Sequence, residues 1–311
     1  GHRNLSHPLS MSGHTHQHRH VHTQHVFAWA MWVNLLYSAL EAGFGVYSNS
    51  LALISDALHN LGDAAGLALA WLAAWMASRA PTDRHTFGWR RATLLSPLAN
   101  ALLLVGFSGA LLWESFSRLQ QPPVVPGFTV MWVAALGIAV NLGTAALFHR
   151  GQHTDLNKRG AYLHLLADAA VSLAAVIAGL GIWLFGWNWL DPLSGMLVAV
   201  VVGFSSWGLL KNSTMQVMDA VPNRLEKRDV EAFLLTLPEV SAVHHVHIWS
   251  LGAEEIALTA HIVRATSAGH DAFIDMAGKA LLQRFGINHA TLQVELGHSC
   301  EHDQHDNAPH F

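Results

Sequence analysis

Two short patterns of ionisable residues stand inside long apolar runs: Asp56-Ala-Leu-His59-Asn-Leu-Gly-Asp63 between Leu51 and Ala77, and His164-Leu-Leu-Ala-Asp168 further along the chain. In each, a His precedes an Asp by four positions, a spacing that stacks both side chains on one helix face. Two such helices facing each other would present two imidazoles and two carboxylates, a set suited to a tetrahedral divalent metal. A charge at the centre of a bilayer costs at least ~2.5–3.5 kcal/mol on insertion scales, and a bound dication would offset it. Mixed nitrogen and oxygen donors suit Zn²⁺, with Co²⁺, Cd²⁺ and Ni²⁺ as lesser ions; an all-oxygen set would lean to Mn²⁺ or Mg²⁺. Either pair alone reads equally well as a local contact that satisfies a buried His, and it is the repetition that favours a shared site. Imidazole and carboxylate must lose protons to bind metal, so binding and proton release are linked. A site opening alternately to each side would turn that linkage into metal/proton exchange.

The elements that must position these residues are membrane helices. The chain is 51% hydrophobic and only 12% charged, far below the roughly 25% charged of a soluble protein. Six apolar segments, at about 26–47, 51–77, 92–114, 128–148, 161–186 and 191–210, each approach the ~20 residues that cross the hydrocarbon core. Arg79, Arg84, Arg90 and Arg91 lie between segments two and three, and Arg150, Lys158 and Arg159 between four and five. The connections between one and two and between five and six carry no Lys or Arg. The positive-inside rule therefore puts both termini and the basic loops in the cytoplasm, with Arg118 as the lone exception. Trp187 and Trp189, in the turn leading to Asp191-Pro192, suit an interfacial aromatic belt.

Other polar residues within the spans are Asn34, Glu41, Asn60, Asn100 and Asn141. The Asn residues suit interhelical hydrogen bonds, whereas Glu41 and Asp56 lie toward the outer half of their helices, where they could line an exit or proton path. Gly62 and Gly66 beside Asp63 would admit a close helix neighbour, for the metal site or for packing alone.

The tails have a different composition. Residues 1–25 hold His14, His16, His18 and His20 at alternating positions among other His, with no apolar periodicity, and read as a disordered, weakly metal-binding cytoplasmic tail. The first residue is Gly1, read as a processed start or cloning remnant, and no signal-peptide core precedes the first span. After Lys211 charge becomes frequent. A helix over 225–237, strands over 242–251 and 255–263, a helix over 270–285 and a strand over 290–296 predict a small α+β domain. Residues 298–311 follow as a tail in which Cys300 and His302 are candidate ligands. With Cys300 the only cysteine, no internal disulfide forms, and a reducing compartment fits. A net charge of −4 points to no nucleic acid. The domains are thus 1–25, a transmembrane domain at 26–211, a cytoplasmic domain at 212–297 and a tail at 298–311.

Six spans, paired His-x-x-x-Asp in spans two and five, a His-rich tail and a C-terminal α+β domain together resemble the cation diffusion facilitator family over residues 26–297. Ser50-Leu-Ala-Leu-Ile-Ser-Asp56-Ala-Leu-His59, His85-Thr-Phe-Gly88 and Val243-His-His-Val-His247-Ile-Trp249-Ser-Leu251 carry the likeness. It implies an all-α bundle of six transmembrane helices with a ferredoxin-like (α-β-β-α-β) cytoplasmic domain. It also implies a homodimer joined through that domain, embedded in membrane lipid of a bacterial inner membrane, exchanging cytoplasmic zinc for protons. His59, Asp63, His164 and Asp168 match the zinc-preferring type of transport site. His244, His261 and Glu295 fall where relatives place zinc ligands, with His289 as a fourth, so zinc is expected both as substrate and as regulatory ligand. Arg91 and Asp219 match a charge interlock between the two domains. Some relatives bind metal in the loop between spans two and three; here only His85 matches, with Thr82 and Trp89 at the other positions, which argues against metal there. A membrane zinc sensor signalling without flux is the competing function. An intramembrane zinc enzyme is disfavoured by the lack of His-Glu-x-x-His and of a general base beside the quartet.

Overall fold

The apolar runs become six long helices, α1 (Gln17–Ser48), α2 (Leu51–Ala77), α3 (Ala92–Gln120), α4 (Gly127–His149), α5 (Leu156–Phe185) and α6 (Leu190–Val217). The computed structural model describes residues 17–149 and 156–297. Among these, α3, α4, α5 and α6 contain segments long and apolar enough to cross a membrane. Side chains such as Leu102, Trp132, Ile177 and Phe204 stand exposed on them, as on helices made to face lipid. α1 and α2 are as long, but Glu41 in one and Asp56, His59, Asn60 and Asp63 in the other dilute their apolar character. α1 begins at Gln17, inside the stretch expected to be a tail, because adding residues to an already nucleated helix costs little.

The chain divides into two compact units, one joining residues up to Ala64 with Ala110–Val200, the other joining Ala65–Gly109 with residues from Val201 onward. In the first, α4 and α5 pack along their lengths and α1 lies against α4. Their approach depends on glycine: a Cβ at Gly127 would sit 2.5 Å from the backbone nitrogen of Trp183, and one at Gly179 2.5 Å from that of Met131. Ala52 and Leu53 of α2 pack with Val130 and Ala134 of α4 and with Ala175 and Ile182 of α5. The start of α2 is fixed from a distance. Asn49 takes a left-handed turn (φ 54°), which Asn tolerates, and Ser50 Oγ accepts the Leu53 N–H at 3.3 Å. Asp191, at the head of α6, accepts the Ser50 hydroxyl at 2.5 Å and the N–H groups of Leu51 and Ala52 at 2.8 and 3.2 Å. A carboxylate from another helix thus satisfies donors that a helix start leaves orphaned.

In the second unit α7 (Lys227–Leu234), β1 (Val240–Ser250), β2 (Ile256–Arg264), α8 (His270–Phe285) and β3 (His289–Leu296) follow in the order expected. The sheet order is β1-β2-β3, with β1 and β2 antiparallel and β2 and β3 parallel. One sheet face packs Val246, Ile248, Leu258 and Ile262 against Val230 and Leu234 of α7 and Phe273 and Leu281 of α8. α7 is shorter than the expected 225–237: it ends at Leu234, where Thr236 and Leu237 turn the chain back through bonds to Phe233 and Leu234. α8 ends at Gly286, whose φ of 69° closes the helix with N–H bonds to Leu281 and Leu282.

Candidate metal-transport site

The i,i+4 spacing on α2 and α5 turns His59 and Asp63 toward His164 and Asp168 within the first unit. His59 Nε2 lies 3.4 Å from Asp168 Oδ1, and His164 Nε2 lies 3.3 Å from Asp63 Oδ2 and 3.5 Å from Asp168 Oδ2. Within α2, His59 Nδ1 is 3.8 Å from Asp63 Oδ2. Ligand atoms of His59, Asp63 and Asp168 all fall within 4.8 Å of one another; His164 adjoins the two carboxylates, its ring 6.4 Å from that of His59. His59 Nδ1 is buried without a hydrogen-bond partner among the described residues, and the buried Asp63 Oδ2 and Asp168 Oδ1 meet imidazole nitrogens only at 3.3 and 3.4 Å, without a well-formed hydrogen bond. Buried polar atoms are normally well satisfied, so a cluster of imidazole and carboxylate atoms converging on one space without well-formed hydrogen bonds suits a cation.

Exposure is graded across the four. His164 and Asp63 are 51% and 31% exposed at their side chains, His59 and Asp168 only 18% and 5%. Beyond His59 and Asp168, Asp56 and Glu41 are fully buried. Asp56 accepts the Ser172 hydroxyl at 2.5 Å, and Glu41 accepts the Tyr37 hydroxyl at 2.8 Å. The sequence reading missed Ser172, Tyr37 and Asp191. The first two were within reach of the pattern, since Ser172 follows Asp168, and Glu41 follows Tyr37, by one helical turn. Gly66 lies against Asn100, whose Nδ2 a Cβ would meet at 2.6 Å, so its small size serves that approach.

A second cluster forms on the face of the three-stranded sheet turned away from α7 and α8. His244 and His261 are direct cross-strand partners, and Glu295 extends from β3 on the same side. Glu295 reaches His244 Nε2 at 3.1 Å and His261 Nδ1 at 2.9 Å, and the three can offer one ligand atom each to a single ion. His289 is not brought to them. It stands opposite Ala257 at the far end of β3, with Nε2 3.5 Å from Glu255 and 3.2 Å from Arg90 Nη1. Parallel register sets that distance, and a list of strand residues does not disclose it.

Arg91 and Asp219 do meet, at 3.0 Å, with side chains 56% and 52% exposed. Beside them runs a more buried set that the sequence reading overlooked. Arg90 pairs with Glu255, Thr93 Oγ1 accepts the Ala253 N–H at 2.9 Å, and Phe87 meets the His289 ring edge-on. In the loop, His85 stacks on Trp89 and belongs to no metal cluster among the described residues. Cys300, His302, His14 and His16 lie outside the described residues, as do the side chains of His18 and His20.

The cation efflux transmembrane domain model matches residues 28–218, and the model for the cytoplasmic domain of cation efflux proteins matches 222–296. The zinc transporter ZitB of Escherichia coli is 38% identical over 269 residues, 86% of each chain. The metal cation efflux system protein CzcD of Cupriavidus metallidurans is 36% identical over 86% of this chain and 84% of its own. A cadmium, cobalt and zinc/H⁺-K⁺ antiporter of Bacillus velezensis is 31% identical over 91% and 92%. With both of its parts matched and relatives aligned along most of its length, the chain belongs to the cation efflux, or cation diffusion facilitator, family of membrane transporters, and is not an enzyme.

Proposed function

We propose that the chain exports Zn²⁺ from the cytoplasm in exchange for H⁺, by alternating access around His59, Asp63, His164 and Asp168. The convergence of these residues from two helices, with buried ligand atoms that lack well-formed hydrogen bonds, carries the reading. Relatives named for zinc, cadmium and cobalt support Zn²⁺ as the main cargo with Cd²⁺ and Co²⁺ beside it, and the donor set adds Ni²⁺. In this reading all six long helices, α1 and α2 included, span a bacterial inner membrane, since α2 would place its polar residues toward the bundle rather than lipid. The transmembrane domain takes residues 26–211, continued by α6 to Val217, and the cytoplasmic domain 212–297, which joins two copies into a homodimer.

Basic loops between α2 and α3 and between α4 and α5 orient both termini to the cytoplasm. Asp63 and His164 then lie on the cytoplasmic side of the quartet and His59 and Asp168 on the outer side. The exposure gradient accordingly supports a cytoplasm-open arrangement, closed outward by the Asp56–Ser172 bond and by the Tyr37 hydroxyl on the Val133 carbonyl. Zinc arriving from the cytoplasm displaces protons from the imidazoles and carboxylates, which must be deprotonated to bind it. Once the site opens outward, returning protons compete for the same atoms and release zinc. Asp56 and Glu41 stand along the outward side as exit or proton groups.

His244, His261 and Glu295 suit a zinc ion held as regulatory ligand rather than cargo, since they sit on a sheet that offers no path across the membrane. Such an ion would cross-link β1, β2 and β3.

Proteoliposomes carrying zinc and pH dyes test the main reading: zinc-dependent proton movement is expected, and Asp63→Ala or Asp168→Ala should abolish it. Zinc flux that persists in both variants would sink the assigned site. Zinc binding with no flux in the unsubstituted protein would favour a sensor instead.

A further inference from the structure

We propose that His245 is a fourth ligand of the cytoplasmic-domain site, making it a closed three-imidazole, one-carboxylate zinc centre. The proposal rests on reading His244, His261 and Glu295 as a metal site.

In a regular strand neighbouring side chains point to opposite faces, so His245 should face away from His244 and into the core beneath the sheet. It does not, and the apolar pattern explains why. Val243, Val246 and Ile248 all pack on the core face, and the step of three from Val243 to Val246 breaks the period of two. One extra residue must be absorbed between them. The pairing shows where: His244 is opposite His261 and His247 opposite Thr259, with a register shift between them. His245 and Val246 therefore share the space facing Ala260. That is a β-bulge, which re-aims a side chain and is over-represented beside functional sites.

The bulge turns His245 to the outer face. Its ring centroid lies 5.1 Å from that of His244 and 5.0 Å from that of His261, and those two are 5.1 Å apart. Three imidazoles thus form a nearly equilateral cluster, two of them in contact with the Glu295 carboxylate. The backbone of His245 is held at φ 48°, a region that L residues mostly avoid. Glycine would take that position without strain, so the bulge by itself gives no reason for an imidazole there.

Four nitrogen and oxygen ligands with no open position make a structural zinc site, where three ligands would leave a place for water. The two metal sites then differ in kind: the membrane quartet joins two separate helices and must release its ion, while this one clamps adjacent strands and retains it. His289, at the other end of β3, is not needed to complete it.

The test is Co²⁺ titration of the full-length protein in detergent, in an Asp63→Ala/Asp168→Ala background so that the transport site is not read. Four-coordinate Co²⁺ gives intense visible bands that six-coordinate Co²⁺ on flexible His does not. His244→Ala and His261→Ala should abolish these bands; if neither does, the metal-site reading fails and the fourth ligand with it. His245→Gly should keep binding but change the bands to those of a three-ligand site with water, and weaken Co²⁺ by roughly 100-fold, about one ligand's share of a four-ligand affinity. Because glycine relieves the positive φ, the same variant should unfold no more easily than its parent when metal-free. Unchanged bands and affinity in His245→Gly, with both lost in His244→Ala, would overturn the proposal while leaving the three-residue site standing.

Discussion

The Ser172 hydroxyl donates to the Asp56 carboxylate at 2.5 Å, tying α5 to α2 immediately beyond His59 and Asp168. Asp56 precedes His59 by three positions and Ser172 follows Asp168 by four, so the pair is the next rung of the same two facing stripes. The second Asp56 oxygen is buried with no hydrogen-bond partner among the described residues, which leaves Ser172 its only such tie there. Removing a partner from a buried polar group costs about 1–3 kcal/mol, more for a charged one. Ser172→Ala is therefore expected to lower the thermal unfolding midpoint of the solubilised protein and to slow zinc-driven proton movement, with zinc affinity at the quartet little changed. A loss of zinc affinity as large as in Asp168→Ala would contradict this division of roles.

Asp191 makes a stronger demand on its position, since one carboxylate accepts three donors at the start of α2. Asp191→Ala would leave the Ser50 hydroxyl and two backbone N–H groups buried together, at a cost of roughly 2–4 kcal/mol when a lost cap and an unmade charged hydrogen bond are combined. Asp191→Asn keeps one acceptor oxygen and should lie between the alanine variant and the parent in both thermal stability and transport rate. Equal behaviour of Asn and Ala would show that charge, rather than helix capping, is what the position supplies.

Zinc affinity at the quartet should fall as pH falls, because protons and metal compete for the same imidazole and carboxylate atoms. For each proton displaced the expected slope is on the order of tenfold per pH unit across the range in which the ligands are protonated without metal. The sign is the one transport needs, with tight binding on the less acidic cytoplasmic side and release outside. Isothermal titration at several pH values, comparing the parent with His164→Ala, measures it. Affinity independent of pH between 6 and 8, on the order of two units around the ordinary imidazole pKa, would remove the coupling.

What could be read from sequence follows the range of the interactions concerned. The i,i+4 pairs His59/Asp63 and His164/Asp168 are local to their helices, and the structure turns both toward one space. The helix and strand order of the C-terminal part is equally legible, because it depends on periodicity within each element. The role of Asp191 is not legible from its turn, because its partners lie 139 to 141 residues away, where no local pattern points. His289 shares β3 with Glu295, but register places it against Arg90 and Glu255. The bulge at His245 does have a local signal, the three-residue step between Val243 and Val246.

The contacts around Arg90 and Arg91 predict unequal coupling in neighbouring ion pairs. Arg91 and Asp219 are both more than half exposed, and an exposed pair contributes at most about 1 kcal/mol. Arg90 and Glu255 are each 32% exposed, and His289 approaches both, so their charges are less screened and have a shared third partner. A double-mutant cycle on thermal stability should give a coupling energy below about 1 kcal/mol for Arg91/Asp219 and a larger one for Arg90/Glu255. Glu255→Arg should destabilise on its own, by setting a second guanidinium against Arg90, and Arg90→Glu in the same chain should restore much of the loss. Should the Arg91/Asp219 pair couple more strongly, the exposed interlock rather than the Arg90 cluster would be the contact that holds this loop to the sheet.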